Sequence, residues 1–142
     1  MKIAISVLLI VIVSSTVAFG QGLPAEKNAE QIAIESTETW LKLVDEGKYS
    51  ESWNEAAQYF KNAVSKEQWE QSLTAIRTPL AEILSRKLET AQYFTTLPGA
   101  PDGEYVVIQY ETSFKNKKSA METVTPMLDK DGKWRVSGYY IK

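Results

Sequence analysis

The sequence predicts an α+β domain in which three N-terminal helices pack on a four-stranded antiparallel sheet. Apolar residues recur at helical spacing from Glu26 to Leu80 and at strand spacing from about Ile83 to Ile141. The two periods are segregated, whereas a parallel α/β fold would interleave them. Turn residues between the strand-spaced segments set the strand count at four.

The first predicted helix carries Ala29, Ala33, Thr37, Trp40, Leu41 and Val44 on one stripe, widened by Ile32 and Leu43, with Glu30, Glu35, Glu38 and Lys42 opposite. Gly47, just past the last periodic residue, suits a left-handed C-cap. Tyr49, Trp53, Ala56, Ala57, Phe60 and Val64 continue as a second amphipathic helix entered through Ser50 or Ser52. Ser65 and Gln68 form a capping box that starts a third, whose stripe is Trp69, Leu73, Ile76 and Leu80 and whose end is marked by Pro79. Aromatics at this spacing, here Trp40, Trp53, Phe60 and Trp69, read as core rather than as a cofactor box.

Strands are expected over Ile83 to Leu97, Glu104 to Phe114, Ser119 to Leu128 and Lys133 to Ile141. Pro101, Asp102 and Gly103 give one turn, and Asp131 with Gly132 gives the last hairpin. Asp129 to Gly132 lacks the spaced oxygen ligands of a calcium loop and reads as a plain turn. Pairing about these turns puts Tyr93, Val106, Ile108, Tyr110, Phe114, Met121, Met127, Trp134, Val136 and Tyr140 on the face that meets the helices. Leu88, Phe94, Val107, Gln109, Glu111, Glu122, Val124, Arg135 and Tyr139 fall on the other face. That second face is too apolar to be wholly solvated, and a homodimer packing sheet on sheet is its simplest partner.

In this register Glu111 lies opposite Glu122, with Tyr139 beside Glu122 and Arg86 one row away. Opposed like charges need a cation or a proton between them. The cluster reads either as a neutralised Glu and Arg ladder, the favoured reading, or as a paired-carboxylate or anion-binding site centred on Arg86. Tyr93, Tyr110, Trp134 and Tyr140 are candidates for the rim of a small pocket that would take a small apolar ligand, although each alone is more ordinary as core.

Composition narrows the chemistry. With 0 His and 0 Cys, His-based triads, thiol nucleophiles, His/Cys zinc sites and disulfides are all excluded. No glycine-rich phosphate loop is present, and neither a cofactor nor a metal is expected. Lys and Arg total 16 against 18 Asp and Glu; without Lys2 the balance is 15 against 18, or −3. Nucleic acid is therefore not an expected partner. Lys115, Lys117 and Lys118 form one local cluster, at a hairpin tip, and read as a solvated turn.

Lys2, the apolar run Ile3 to Val13 and the small residues Ala18 and Gly20 read as a signal peptide, residues 1–20, cut before Gln21 or after Ala18. Residues 21–142 then form one domain of about 120 residues, enough for a core without disulfides. The expected location is outside the cytoplasm, periplasmic or secreted, with no membrane partner after cleavage.

The order of elements, with Asp45, Gly47, Tyr49 and Trp53 spanning the first helix turn, resembles the cone-like nuclear transport factor 2 (cystatin-like) superfold. The run Leu97 to Tyr110 (LPGAPDGEYVVIQY), Phe114, Glu122 to Thr125 (ETVT) and Trp134 to Ile141 (WRVSGYYI) resembles the bacterial family DUF4019. The resemblance implies a small exported protein with a cone-like sheet and supplies no activity or site residue. Two functions remain in view: a non-enzymatic binding or protein-interaction module, and a small carboxylate-dependent hydrolase, lyase or isomerase with its pocket in the cone.

Overall fold

The computed structural model describes residues 23–142; the expected leader and its cleavage positions lie outside the described residues. Helix α1 (Pro24–Asp45) starts with proline in its first turn, where no backbone donor is needed, and the Glu26 carboxylate accepts from the Leu23 N–H. Helices α2 (Tyr49–Asn54), α3 (Gln58–Ala63) and α4 (Lys66–Arg77) follow. Strands β1 (Ile83–Phe94), β2 (Tyr105–Phe114), β3 (Lys117–Leu128) and β4 (Trp134–Ile141) form one antiparallel sheet in the order β1-β2-β3-β4. The α+β architecture is the expected one, and α1 crosses the inner face of the sheet, touching all four strands.

The second predicted helix is realised as two short ones, α2 and α3. Between them Ala56 and Ala57 are fully buried, and the Ala57 N–H donates to Val136 O of β4 at 2.8 Å. Docking this backbone against the sheet edge takes a donor out of the helical ladder. The Ser65–Gln68 capping box forms as expected, and Pro79 sits inside a 3-10 turn (Thr78–Leu80) that extends α4. The aromatic stripe is core. Trp40 Nε1 donates to Ser52 O at 2.8 Å, Trp69 Nε1 to Ser52 Oγ at 3.0 Å, and Trp53 Nε1 to Val64 O at 2.8 Å, so three indoles tie the helices to one another.

On the sheet, β2 points as expected: Val106, Ile108, Tyr110 and Phe114 are buried beneath the helices. Strand β3 is shifted by one residue. Tyr110 pairs with Glu122 and Ile108 with Val124, while Glu111 pairs with Met121. The cause is the β2–β3 hairpin, where Phe114 pairs with Lys117 across a two-residue tip and the ladder is irregular between Thr112 and Phe114. A tip shorter than expected carries the whole of β3 onto its other face. Glu122 and Val124 are therefore inside and Met121 is outside, the reverse of the expected faces.

Strand β4 changes face partway along. Thr125 pairs with Gly138 but Pro126 with Val136, so Ser137 is the extra residue opposite a proline that cannot donate to the ladder. Trp134 and Val136 point inward as expected. Beyond the bulge Tyr139 points inward and Tyr140 outward, 56% exposed, which corrects the expected placement of both.

Candidate functional site

Six elements each contribute one side chain to a polar network under the helices. Asp45 is the last residue of α1 and Arg77 the last of α4; Arg86 comes from β1, Thr112 from β2, Glu122 from β3 and Tyr139 from β4. Arg86 holds both acids. Its Nη1 and Nη2 donate to Asp45 Oδ2 and Oδ1 at 2.8 and 2.9 Å, while its Nε and Nη2 donate to Glu122 Oε1 and Oε2 at 2.7 and 3.1 Å. Arg77 Nη2 donates to Asp45 Oδ1 at 2.9 Å, and its guanidinium lies 4.8 Å from the Phe114 ring centre.

Glu122 has no solvent exposure. Its carboxylate also accepts from Thr112 Oγ1 and from the Tyr139 hydroxyl, each at 2.5 Å, and that hydroxyl in turn accepts from Arg77 Nη1 at 3.4 Å. Two guanidinium groups face two carboxylates, so the network is charge-balanced. Among the described residues, Arg77 Nε and the Tyr110 hydroxyl are buried beside it without a hydrogen-bond partner.

These surroundings set the titration of each group. Burial acting alone would raise the Asp45 carboxyl, but hydrogen bonds and charge from Arg86 and then Arg77 outweigh it and hold the group below its ordinary value near 3.8. Burial opposes the charge on Arg86, and the carboxylates of Asp45 and Glu122 more than restore it, so Arg86 is held more firmly protonated than a free arginine. Tyr139 is pushed well above 10, first by burial and then by the adjacent Glu122 carboxylate. Burial raises Tyr110 in the same direction.

Of the four residues in the expected polar cluster, Arg86, Glu122 and Tyr139 meet. Glu111 does not. It lies exposed on the opposite face, paired with Lys87 and Met121, so no two carboxylates oppose each other across the sheet. Residues Asp45 and Arg77 were missed as members. A signal was present: Arg77 follows Trp69 and Leu73 at four-residue steps, and Asp45 follows Leu41 by four, so both charges continue apolar stripes.

The expected pocket rim does not assemble. Tyr93 donates from its hydroxyl to Glu104 at 2.8 Å, Tyr110 is core, and Tyr140 is on the outer face. Trp134 instead lines a groove of about 530 Å³ between α1, α2 and β4, together with Trp40, Leu43, Val136, Glu51 and Lys133. Among the described residues no group of three or more His, Cys, Asp or Glu side chains is placed to hold a metal.

Fold and network together define a small α+β domain with an open antiparallel sheet, its helices and strands pinned at one end by a buried ion cluster. The chain belongs to the family described as protein of unknown function (DUF4019), which it matches over residues 36–139, a span that contains all six network residues. No curated protein matches the chain.

Proposed function

We propose that the protein is an exported, non-catalytic interaction module that pairs with a second copy through the outer face of its sheet, and that its layers form the cone of the nuclear transport factor 2 type. The observation that carries this reading is the engagement of both interior carboxylates of the network. Asp45 and Glu122 are both held by guanidinium groups, and a general acid or base needs a group free to exchange a proton with substrate. That supports an interaction module over a carboxylate-dependent hydrolase, lyase or isomerase. The outer face supports self-pairing: Val107, Gln109, Met121, Thr123 and Thr125 are half-buried there, with Tyr140 exposed at its edge.

Sedimentation equilibrium is the test. A dimer is expected, and Val107→Glu should split it into folded monomers whose melting temperature no longer rises with protein concentration. Val124, which the sequence places on the same face, lies in the core with 0% exposure, so a charge there would unfold the monomer instead. A wild-type monomer at high concentration would sink the pairing. The groove beside Trp134 supports a second reading, capture of a small apolar ligand, since its volume lies in the range of roughly 300–1,000 Å³ common for ligand sites. Native mass spectrometry of protein purified from its own cells would show the bound mass, and an empty monomer would count against both readings.

A further inference from the structure

The β2–β3 hairpin tip carries Lys115, Lys117 and Lys118, all exposed, and the fold sets this tip against the entry to β1. Lys115 N donates to Glu82 O at 2.9 Å, Asn116 N to Leu80 O at 3.1 Å, and Asn116 Nδ2 to Pro79 O at 3.0 Å. The tip is thus anchored, and the lysines are presented from a fixed base. Beside it the β1 ladder is irregular between Ile83 and Ser85, which leaves Leu84 out of register and 54% exposed. Ile76, one turn before the 3-10 turn that receives Asn116, is 47% exposed. The counter-charge at this corner is Glu82, 3.7 Å from Lys115, with both side chains largely in solvent.

We propose that this corner docks weakly on a phospholipid bilayer bearing anionic headgroups, with Lys115, Lys117 and Lys118 on the phosphates and Leu84 and Ile76 at the acyl boundary. The pairing of chemistries selects the occupant. Three lysines alone would serve any polyanion, but exposed aliphatic side chains gain only where an apolar medium receives them. A net acidic protein is repelled by such a surface everywhere except at a basic corner, so adhesion through this end also orients the molecule. Hydropathy along the chain does not show the corner, because the lysine tip meets the segment between Ile76 and Leu84 only through the hydrogen bonds of Lys115 and Asn116 to it. It is separate from the outer face proposed for pairing, and either can fail alone.

The exported protein, purified after processing, is sedimented with vesicles of equal parts phosphatidylglycerol and phosphatidylcholine at low salt, and with vesicles of phosphatidylcholine alone. Adhesion is expected to the first and not the second, and to fall as salt rises. Lys117→Gln with Lys118→Gln should weaken it by about 25-fold, about fivefold for each lysine. Leu84→Ser should weaken it by about tenfold while leaving binding to linear polyphosphate unchanged. Melting temperatures identify any variant that misfolds, in which case Leu84→Ala and the single lysine variants decide. No adhesion to the anionic vesicles, or equal adhesion by the lysine variant, overturns the proposal. Binding of polyphosphate but not vesicles, or indifference to Leu84→Ser, overturns it in favour of a soluble polyanion.

Discussion

Two arginines in this molecule are each gripped by two carboxylates, and they differ in how far apart in sequence their partners lie and in how deeply one of those partners is buried. Arg86 holds Asp45 and Glu122 under the helices; Arg135 holds Asp129 and Asp131 at the β3–β4 turn, with bonds of 3.1, 2.8 and 2.7 Å. The first cluster joins residues far apart in sequence, Arg86 and Glu122 being 36 positions apart, and Glu122 has no exposure. The second is local, Arg135 and Asp131 being four positions apart, with the Asp131 side chain 49% exposed. Similar bonds therefore carry different weight. In water the charges of the turn lose little when unpaired, whereas a charge left alone inside the protein keeps its full desolvation penalty.

The largest effect is expected where that penalty is greatest. Glu122→Ala leaves the Arg86 guanidinium half unpaired and strips acceptors from Thr112 and Tyr139, and should cost about 3–5 kcal/mol in urea unfolding. Replacing Arg86 by Met together with Glu122 by Leu removes both charges and should recover most of that loss, while Asp45 and Arg77 continue to neutralise each other. If the double variant is as unstable as the single one, the penalty comes from lost packing or from the stranded Thr112 and Tyr139 hydroxyls rather than from an unpaired charge, and the comparison between the clusters fails.

Acid and base should act on the buried cluster from opposite sides. The folded Asp45 carboxyl titrates below its ordinary value near 3.8, so its contribution is complete above that value and is lost as pH falls through the folded value. Asp45→Asn should cost about 1–3 kcal/mol at neutral pH and make the decline in stability below pH 4 shallower. Tyr139 is raised above 10, so its contribution is complete below pH 10 and is lost as pH climbs beyond it. Tyrosinate absorbance at pH 11 should therefore fall short of the seven tyrosines of the chain until it unfolds. Full ionisation in the folded protein would show that Tyr139 and Tyr110 are reached by solvent.

The turn that carries the local cluster was legible in the sequence, its pairing with Arg135 was not, and the buried cluster was legible only in part, for a physical reason. Asp129 to Gly132 announces a turn through its own residues, and Gly132 takes the positive φ of 82° that such a turn asks of glycine. Strand β2 was equally readable because its alternation is uninterrupted. The face of β3 depended on one residue more or less in the hairpin tip, and that of β4 on a bulge opposite Pro126, neither of which periodicity records. Periodicity alone thus puts Glu122 and Tyr139 on the outer face with Glu111 beside them, and it does not mark Asp45 and Arg77, because helical charges at stripe ends look like ordinary solvated termini.

The smallest effect completes the comparison. Asp131→Asn removes the acid that bonds Arg135 through both oxygens, yet the Asp131 side chain is half in solvent and Arg135 keeps its bond to Asp129 at 3.1 Å. Water and Asp129 can both take up the freed guanidinium. The melting temperature should not move measurably, and the difference between wild type and variant should stay near zero as salt rises, because an exposed pair is screened at ordinary ionic strength. A loss approaching that of Glu122→Ala would mean that geometry rather than burial sets the worth of an arginine held by two acids, and the contrast between the two clusters would then disappear.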